Sequence, residues 1–153
     1  APVDPATAKS RSGYAITLGG CPILWASKMQ TEIALSSTEA EYIAMSQAMR
    51  EVLPMMALMQ EAAEAGVLPE AEVPKVHCKV FEDNSGAIEI ARLPKMRPRT
   101  KHLNIKYHHF RDQVARGRIT IHFVPTEDQI ADMLTKPVSI ELLARFRERL
   151  MGW

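Results

Sequence analysis

Apolar residues alternate with small or polar ones along Ser12-Gly-Tyr-Ala-Ile-Thr-Leu18 and again along Cys21-Pro-Ile-Leu-Trp-Ala-Ser27, with Gly19 and Gly20 between the two runs. This pattern predicts a β-hairpin closed by a two-residue turn. After residue 35 the period changes. Ser36-Ser-Thr-Glu39 has the form of a capping box, in which Ser36 accepts from the backbone N–H of Glu39 and the Glu39 side chain reaches back. Tyr42, Met45, Met49, Val52, Met56 and Met59 then fall on one stripe at helical spacing. Pro54 is expected to kink or split that helix. The methionines read as gap-filling core.

A loop rich in Glu and Pro follows at 66–74, and Val76-His-Cys-Lys-Val-Phe81 reads as a strand. Asp83-Asn-Ser85 turns it into a short helix over 86–91. Residues 93–100, with Pro94 and Pro98, form an extended basic loop, and Leu103, Tyr107, Phe110 and Val114 make a second helical stripe that Gly117 ends. Ile119-Thr-Ile-His-Phe-Val124 is a strand, 127–136 is helical, and Ser139 caps a last helix carrying Leu143, Phe146 and Leu150. The order β-β-α-β-α-β-α, without internal repeats, predicts a layered α/β domain.

Composition narrows this reading. The 153 residues are 46% apolar and 24% charged, which suits one globular domain with a real core. No apolar run approaches the ~18 residues of a membrane span, and the start has no signal-peptide pattern. Cys21 and Cys78 are too few for a disulfide framework and too far apart for a zinc knuckle. They are expected to be reduced and buried, as in an intracellular protein. The opening Ala-Pro-Val-Asp-Pro-Ala-Thr reads as part of something longer or as a processed product.

The net charge of +1 conceals an asymmetry. Residues 39–89 carry ten acids against Arg50, Lys75 and Lys79, whereas 92–118 carry nine bases against Asp112 alone. An acidic part followed by a basic one suits metal ions held beside a polyanion. Two solvated faces are the blander reading.

Three acids stand out as candidates. Glu41 lies on the first helix, Asp83 just after an apolar strand, and Asp132 at the start of a late helix. Strand ends in open α/β sheets commonly carry sites, which favours Asp83, although an Asp-Asn pair also forms turns. Glu41 also fits as an exposed helix glutamate, and Asp132 as a helix-start acid, with Asp128 as its competitor. Glu39 is explained by the cap. His108 and His109 are adjacent and cannot form an i, i+4 metal pair, while His102 and His122 are isolated, so zinc is disfavoured. Arg99, Lys101 and Lys106 are candidates for sequence-independent phosphate contacts, and Thr38, Asn84 and Ser85, beside the acids, for nucleic-acid contacts.

Ser12-Gly-Tyr, Gly19-Gly20, Trp25-Ala-Ser-Lys28 and Ala34-Leu-Ser-Ser-Thr-Glu-Ala-Glu-Tyr-Ile-Ala44 together resemble the ribonuclease H domain of copia-type long-terminal-repeat retrotransposons. Asp83-Asn-Ser-Gly-Ala-Ile88, Arg99-Thr-Lys-His-Leu-Asn-Ile-Lys-Tyr-His108 and Val124-Pro-Thr-Glu-Asp-Gln-Ile-Ala-Asp-Met-Leu-Thr-Lys-Pro137 extend the likeness in the family's order over nearly the whole chain. The resemblance implies a ribonuclease H-like mixed sheet flanked by helices: a linker at 1–11, the domain at 12–137 and a C-terminal helix at 138–153. It implies hydrolysis of the RNA strand of RNA–DNA hybrids during reverse transcription, with two Mg²⁺ (Mn²⁺ as substitute) held by four carboxylates. Glu41, Asp83 and Asp132 match three of these.

The fourth should lie on a first strand, upstream of the stretch that here reads Asp4-Pro-Ala-Thr-Ala-Lys-Ser10. That strand is absent, so the domain is expected to be truncated at its N-terminal side and its activity impaired. A non-catalytic, hybrid-binding remnant is the alternative. The resemblance further implies an upstream reverse transcriptase in the same polyprotein, no membrane, and a cytoplasmic virus-like particle. Loss of a central strand should leave its two neighbours with unpaired edges and make the isolated chain marginally stable or aggregation-prone.

Overall fold

The structure is a computed structural model and describes residues 3–67, 76–93 and 105–153. Strands β1 (Arg11–Leu18) and β2 (Cys21–Met29) form the expected antiparallel hairpin. Gly19 and Gly20 both take positive φ, +57° and +85°, as a tight turn with the strands' own twist requires. An isolated bridge between Val3 and Ser10 extends the hairpin's beginning.

Helix α1 spans Ser37–Glu64. Ser36 caps it as predicted, accepting from the Glu39 N–H at 3.2 Å, but the Glu39 carboxylate returns to the Leu35 N–H (2.9 Å), one residue further back than a capping box places it. Pro54 does not split the helix, which continues for ten residues beyond it. Its exposed position leaves the missing hydrogen bond facing solvent. From Ala40 to Met49 α1 is buried on almost every face, as a helix threaded through a core must be. Gln30 fastens the hairpin to it: the buried Nε2 donates to Ser12 Oγ (2.9 Å) and to the Ala40 carbonyl (2.8 Å).

Strand β3 (Cys78–Glu82) pairs in parallel with β4 (Ile119–Phe123), Val80 standing opposite Ile121. A parallel pair needs a crossover. Here it contains α2 (Ser85–Arg92) and the short α3 (Arg111–Ala115). The helical stripe predicted through Tyr107, Phe110 and Val114 is broken: a 3-10 turn covers Ile105–Tyr107, and α3 starts only after Phe110. Tyr107 and Phe110 are nonetheless buried to 2% and 0% exposure, and His108 between them turns to the Tyr42 hydroxyl (2.7 Å). Leu103 lies outside the described residues.

The segment predicted as a helix over 127–136 is two 3-10 turns, Thr126–Asp128 and Ile130–Leu134. Gln129 interrupts it with an extended backbone, its Nε2 donating to the Phe81 carbonyl at 3.0 Å. That tether to the end of β3 prevents a continuous α-turn. Gly13 of β1 lies against this segment so closely that a Cβ there would meet Thr135 Cγ2 at 2.5 Å. Helix α4 (Ile140–Met151) is capped by Ser139 and buries Phe146 and Leu150, while Leu143 stays exposed. Both cysteines are free. Cys21 is exposed, against expectation, because β2 turns that side of the hairpin outward, and Cys78 is half-buried.

The result is a mixed α/β fold compatible with a ribonuclease H-like architecture, with its sheet in two pieces. Among the described residues, β1 pairs only with β2 and β3 only with β4.

Candidate active site

Three elements converge on an open cleft of about 470 Å³. Helix α1 contributes Glu41, the end of β3 contributes Asp83, and the 3-10 turn after Gln129 contributes Asp132. The three acids singled out in the sequence therefore line one site. Ser37, Thr126, Thr135 and Lys136 complete its walls with Asn84.

Local chemistry places each group. Asp83 follows the last residue of β3, and its Oδ2 accepts from Thr126 Oγ1 at 2.8 Å. Asp132 is half-buried and pairs with Lys136 one turn on, Nζ to Oδ2 2.6 Å. Asn84 caps α2 by accepting from the Ala87 N–H (3.0 Å), and the same Oδ1 accepts from Thr38 Oγ1 (3.3 Å). Gly86 permits this approach of the α1 and α2 starts: a Cβ there would stand 2.9 Å from Thr38 Cγ2.

Glu82 escaped the sequence reading. It is 7% exposed, and its Oε1 accepts from the Asn84 N–H at 3.0 Å. Burial is the main cause that pushes its carboxyl up to about 8; the Asn84 N–H opposes this, and the charges of Glu41, Asp83 and Asp132 add to it. Those three charges all bearing on one buried group is a second sign that the acids converge. The signal was present in the alternation of β3, where Glu82 shares the inward face of Cys78 and Val80.

The other candidates divide. Asn84 lines the cleft; Thr38 does not line it but donates to the Asn84 side chain, and Ser85, the first residue of α2, is exposed and also outside the lining. Lys106 is also outside: it pairs with Glu32 and lies over the Tyr107 ring, 4.9 Å from the centroid. Arg99 and Lys101 fall outside the described residues. Of the remaining basic stretch, Arg92 and Arg111 spend their guanidinium groups on the carbonyls of Ile121 and Leu93.

All three acids offer the hard oxygen donors that Mg²⁺ takes. Among the described residues, however, no three His, Cys, Asp or Glu side chains stand close enough together to hold a metal ion. The donor set is right in kind and incomplete as an ion cage.

A mixed α/β domain with carboxylates at a strand end and on the facing helix is the class that fold and cleft define. Its homologues at 35–36% identity over about nine-tenths of the chain are retrovirus-related Pol polyproteins from transposons. The chain is 36% identical over 141 residues, 92% of its length, to the retrovirus-related Pol polyprotein from transposon RE1 of Arabidopsis thaliana, and 35% identical over the same length to that from transposon RE2. The corresponding polyprotein from transposon TNT 1-94 of Nicotiana tabacum is 36% identical over 130 residues, 85% of the chain. The chain spans 9% of the length of each of these relatives. No family model and no solved structure matches it. No described helix is long and apolar enough to cross a membrane.

Proposed function

We propose that this chain is the greater part of the ribonuclease H domain of a copia-type retrotransposon polyprotein, acting on the RNA strand of RNA–DNA hybrids made by reverse transcription in a cytoplasmic particle. The supporting observation is the meeting of Glu41, Asp83 and Asp132, from three separated elements, in one cleft. Drawn closer together than they stand here and joined by a further ligand, these three would hold Mg²⁺, whose chemistry is to activate water and stabilise the leaving oxygen. Lys136 would have to release Asp132 for that. Asn84, in the cleft, and Thr38, hydrogen-bonded to it, would contact the nucleic acid, and Arg99, Lys101 and Lys106 would hold its backbone beyond the cleft.

A second reading is favoured by the incomplete cage: a module that binds the hybrid without cutting it. Incubating a labelled RNA–DNA hybrid in Mg²⁺ with the chain and with Asp83→Asn separates the two. Supporting groups around metal ligands cost about 10–100-fold when removed, so loss of a ligand itself should cost more than about 100-fold. Cleavage that Asp83→Asn removes supports the nuclease. Salt-dependent binding without cleavage by a folded sample sinks it and leaves the binding module.

A further inference from the structure

The parallel ladder of β3 and β4 has one covered face and one open face. Cys78, Val80, Ile119 and Ile121 turn inward, so Lys79 and Phe81, with His77 just before them, share the outward side with Thr120 and His122. On that open face two imidazoles meet at one hydroxyl. His77 Nε2 lies 2.9 Å from Thr120 Oγ1, and His122 Nε2 lies 3.0 Å from the same atom. Spacing along the chain leaves His122 isolated. The ladder ends that isolation, because it sets Lys79 opposite Thr120 and Phe81 opposite His122 and so carries His77 to the same spot. Phe81 also backs one of the rings, its own ring centroid standing 5.7 Å from that of His122.

A hydroxyl has one proton to give. Thr120 donates to one Nε2 at most, and the other neutral ring must then donate to it through Nε2–H, so the pair holds two different tautomers. An ion that accepts electron pairs removes this asymmetry: both rings keep their proton on Nδ1 and turn an Nε2 lone pair inward. Zinc takes histidine nitrogen at about 2.0–2.1 Å. Both rings are exposed, so a small rotation of each moves the two nitrogens from hydrogen-bonding distance of Thr120 onto a shared ion. The strands beneath them need not change register.

We propose that His77 and His122 form a clip for a nitrogen-seeking divalent cation, with Zn²⁺ as the test case, that fastens β3 to β4 on the open face of the ladder. The two imidazoles supply half of a tetrahedral shell and water supplies the rest. A two-histidine clip agrees with the lack, among the described residues, of any three His, Cys, Asp or Glu side chains grouped to hold a metal. Lys79, on the same face opposite Thr120, repels a cation there and keeps the affinity below that of a closed four-ligand site. The clip differs in chemistry from the acidic cleft, since imidazole suits zinc whereas Mg²⁺ takes oxygen. Its consequence is mechanical. An ion held from both strands stabilises only the paired ladder, and Asp83 follows directly on β3.

The test is a calorimetric titration of Zn²⁺ into the whole, untagged 153-residue chain in excess Mg²⁺, which competes at oxygen sites and leaves imidazoles free. Saturable binding is expected, with a melting midpoint that rises with Zn²⁺ concentration. His77→Ala and His122→Ala, both at exposed positions that the fold tolerates, should each weaken binding at least about tenfold, since even the groups supporting metal ligands cost about 10–100-fold when removed. Cys21→Ser, at the exposed thiol of the other sheet piece, should leave affinity within about twofold. Long-range proton–nitrogen spectra should show the Nε2 signals of His77 and His122 shifting together as the ion is added. No saturable binding, undiminished affinity in either histidine variant, loss of binding in Cys21→Ser, or a shift confined to one ring would overturn the proposal. The titration contains no nucleic acid, so failure of hybrid cleavage leaves its outcome intact.

Discussion

β1 and β2 are joined by Gly19 and Gly20 alone, whereas β3 ends at Glu82 and its partner β4 begins only at Ile119. The hairpin is a local structure, with an outer strand on which Trp25 is 62% exposed. The parallel pair is a tertiary one: α2 and α3 lie in the connection between its strands, and Ile119 and Ile121 are 1% and 3% exposed within it. Asp83 and Glu82 stand on the tertiary pair, and the hairpin lends the cleft no lining residue. The candidate chemistry thus depends on long-range closure, and damage there should cost both stability and the site, while damage in the turn should cost stability alone.

The largest effect that would sharpen this contrast comes from pH. The folded pKa of Glu82, about 8, lies above its ordinary 4.5, so between these values the folded protein holds a proton that the unfolded chain has released. The stability this contributes is fully present below about pH 4.5 and is lost as pH rises through about 8, a change of at most about 5 kcal/mol. Thermal melts should therefore drop in midpoint from about pH 5 to about pH 8, and Glu82→Gln should flatten the profile. An unchanged slope in that variant would remove Glu82 as the cause.

Next in size, Ile121→Ala should cost about 2–5 kcal/mol in denaturant unfolding, and Trp25→Ala no more than about 0.5. Equal losses would erase the distinction between the two ladders. Smallest is Gly20→Ala. Nothing lies near a Cβ at that position, so only its positive φ is strained, at about 1–2 kcal/mol. Hybrid cleavage or binding, measured well below the melting temperature, should stay unchanged; a loss there would mean that the turn reaches the cleft.

The same contrast separates what was legible in the sequence from what was not. Features with local causes read correctly: the Gly-Gly hairpin, the Ser36 and Ser139 caps, the strand-to-helix turn at Asn84 and the stop at Gly117. Glu41, Asp83 and Asp132 were legible as candidates, and the fold brings them to one cleft. Features with distant causes did not read. The stretch 127–136 reads as helix from sequence, but the contact from Gln129 to the Phe81 carbonyl breaks it. The stripe through Tyr107 and Phe110 marks burial correctly and helix wrongly, since His108 is drawn to Tyr42. Cys21, expected inside, sits on the open side of a hairpin with nothing packed over it.

The contact at Gly13 gives the hairpin a mechanical part in the site it does not line. With backbone pressed to within 3.0 Å of the Ala131 carbonyl at the notional Cβ, β1 acts as the backstop for the turn that carries Asp132. A side chain at position 13 would have to press on Thr135, Ala131 and Leu134, the neighbours of Asp132 along that turn. How closely the hairpin and that turn can approach is thereby set by a residue with no functional group.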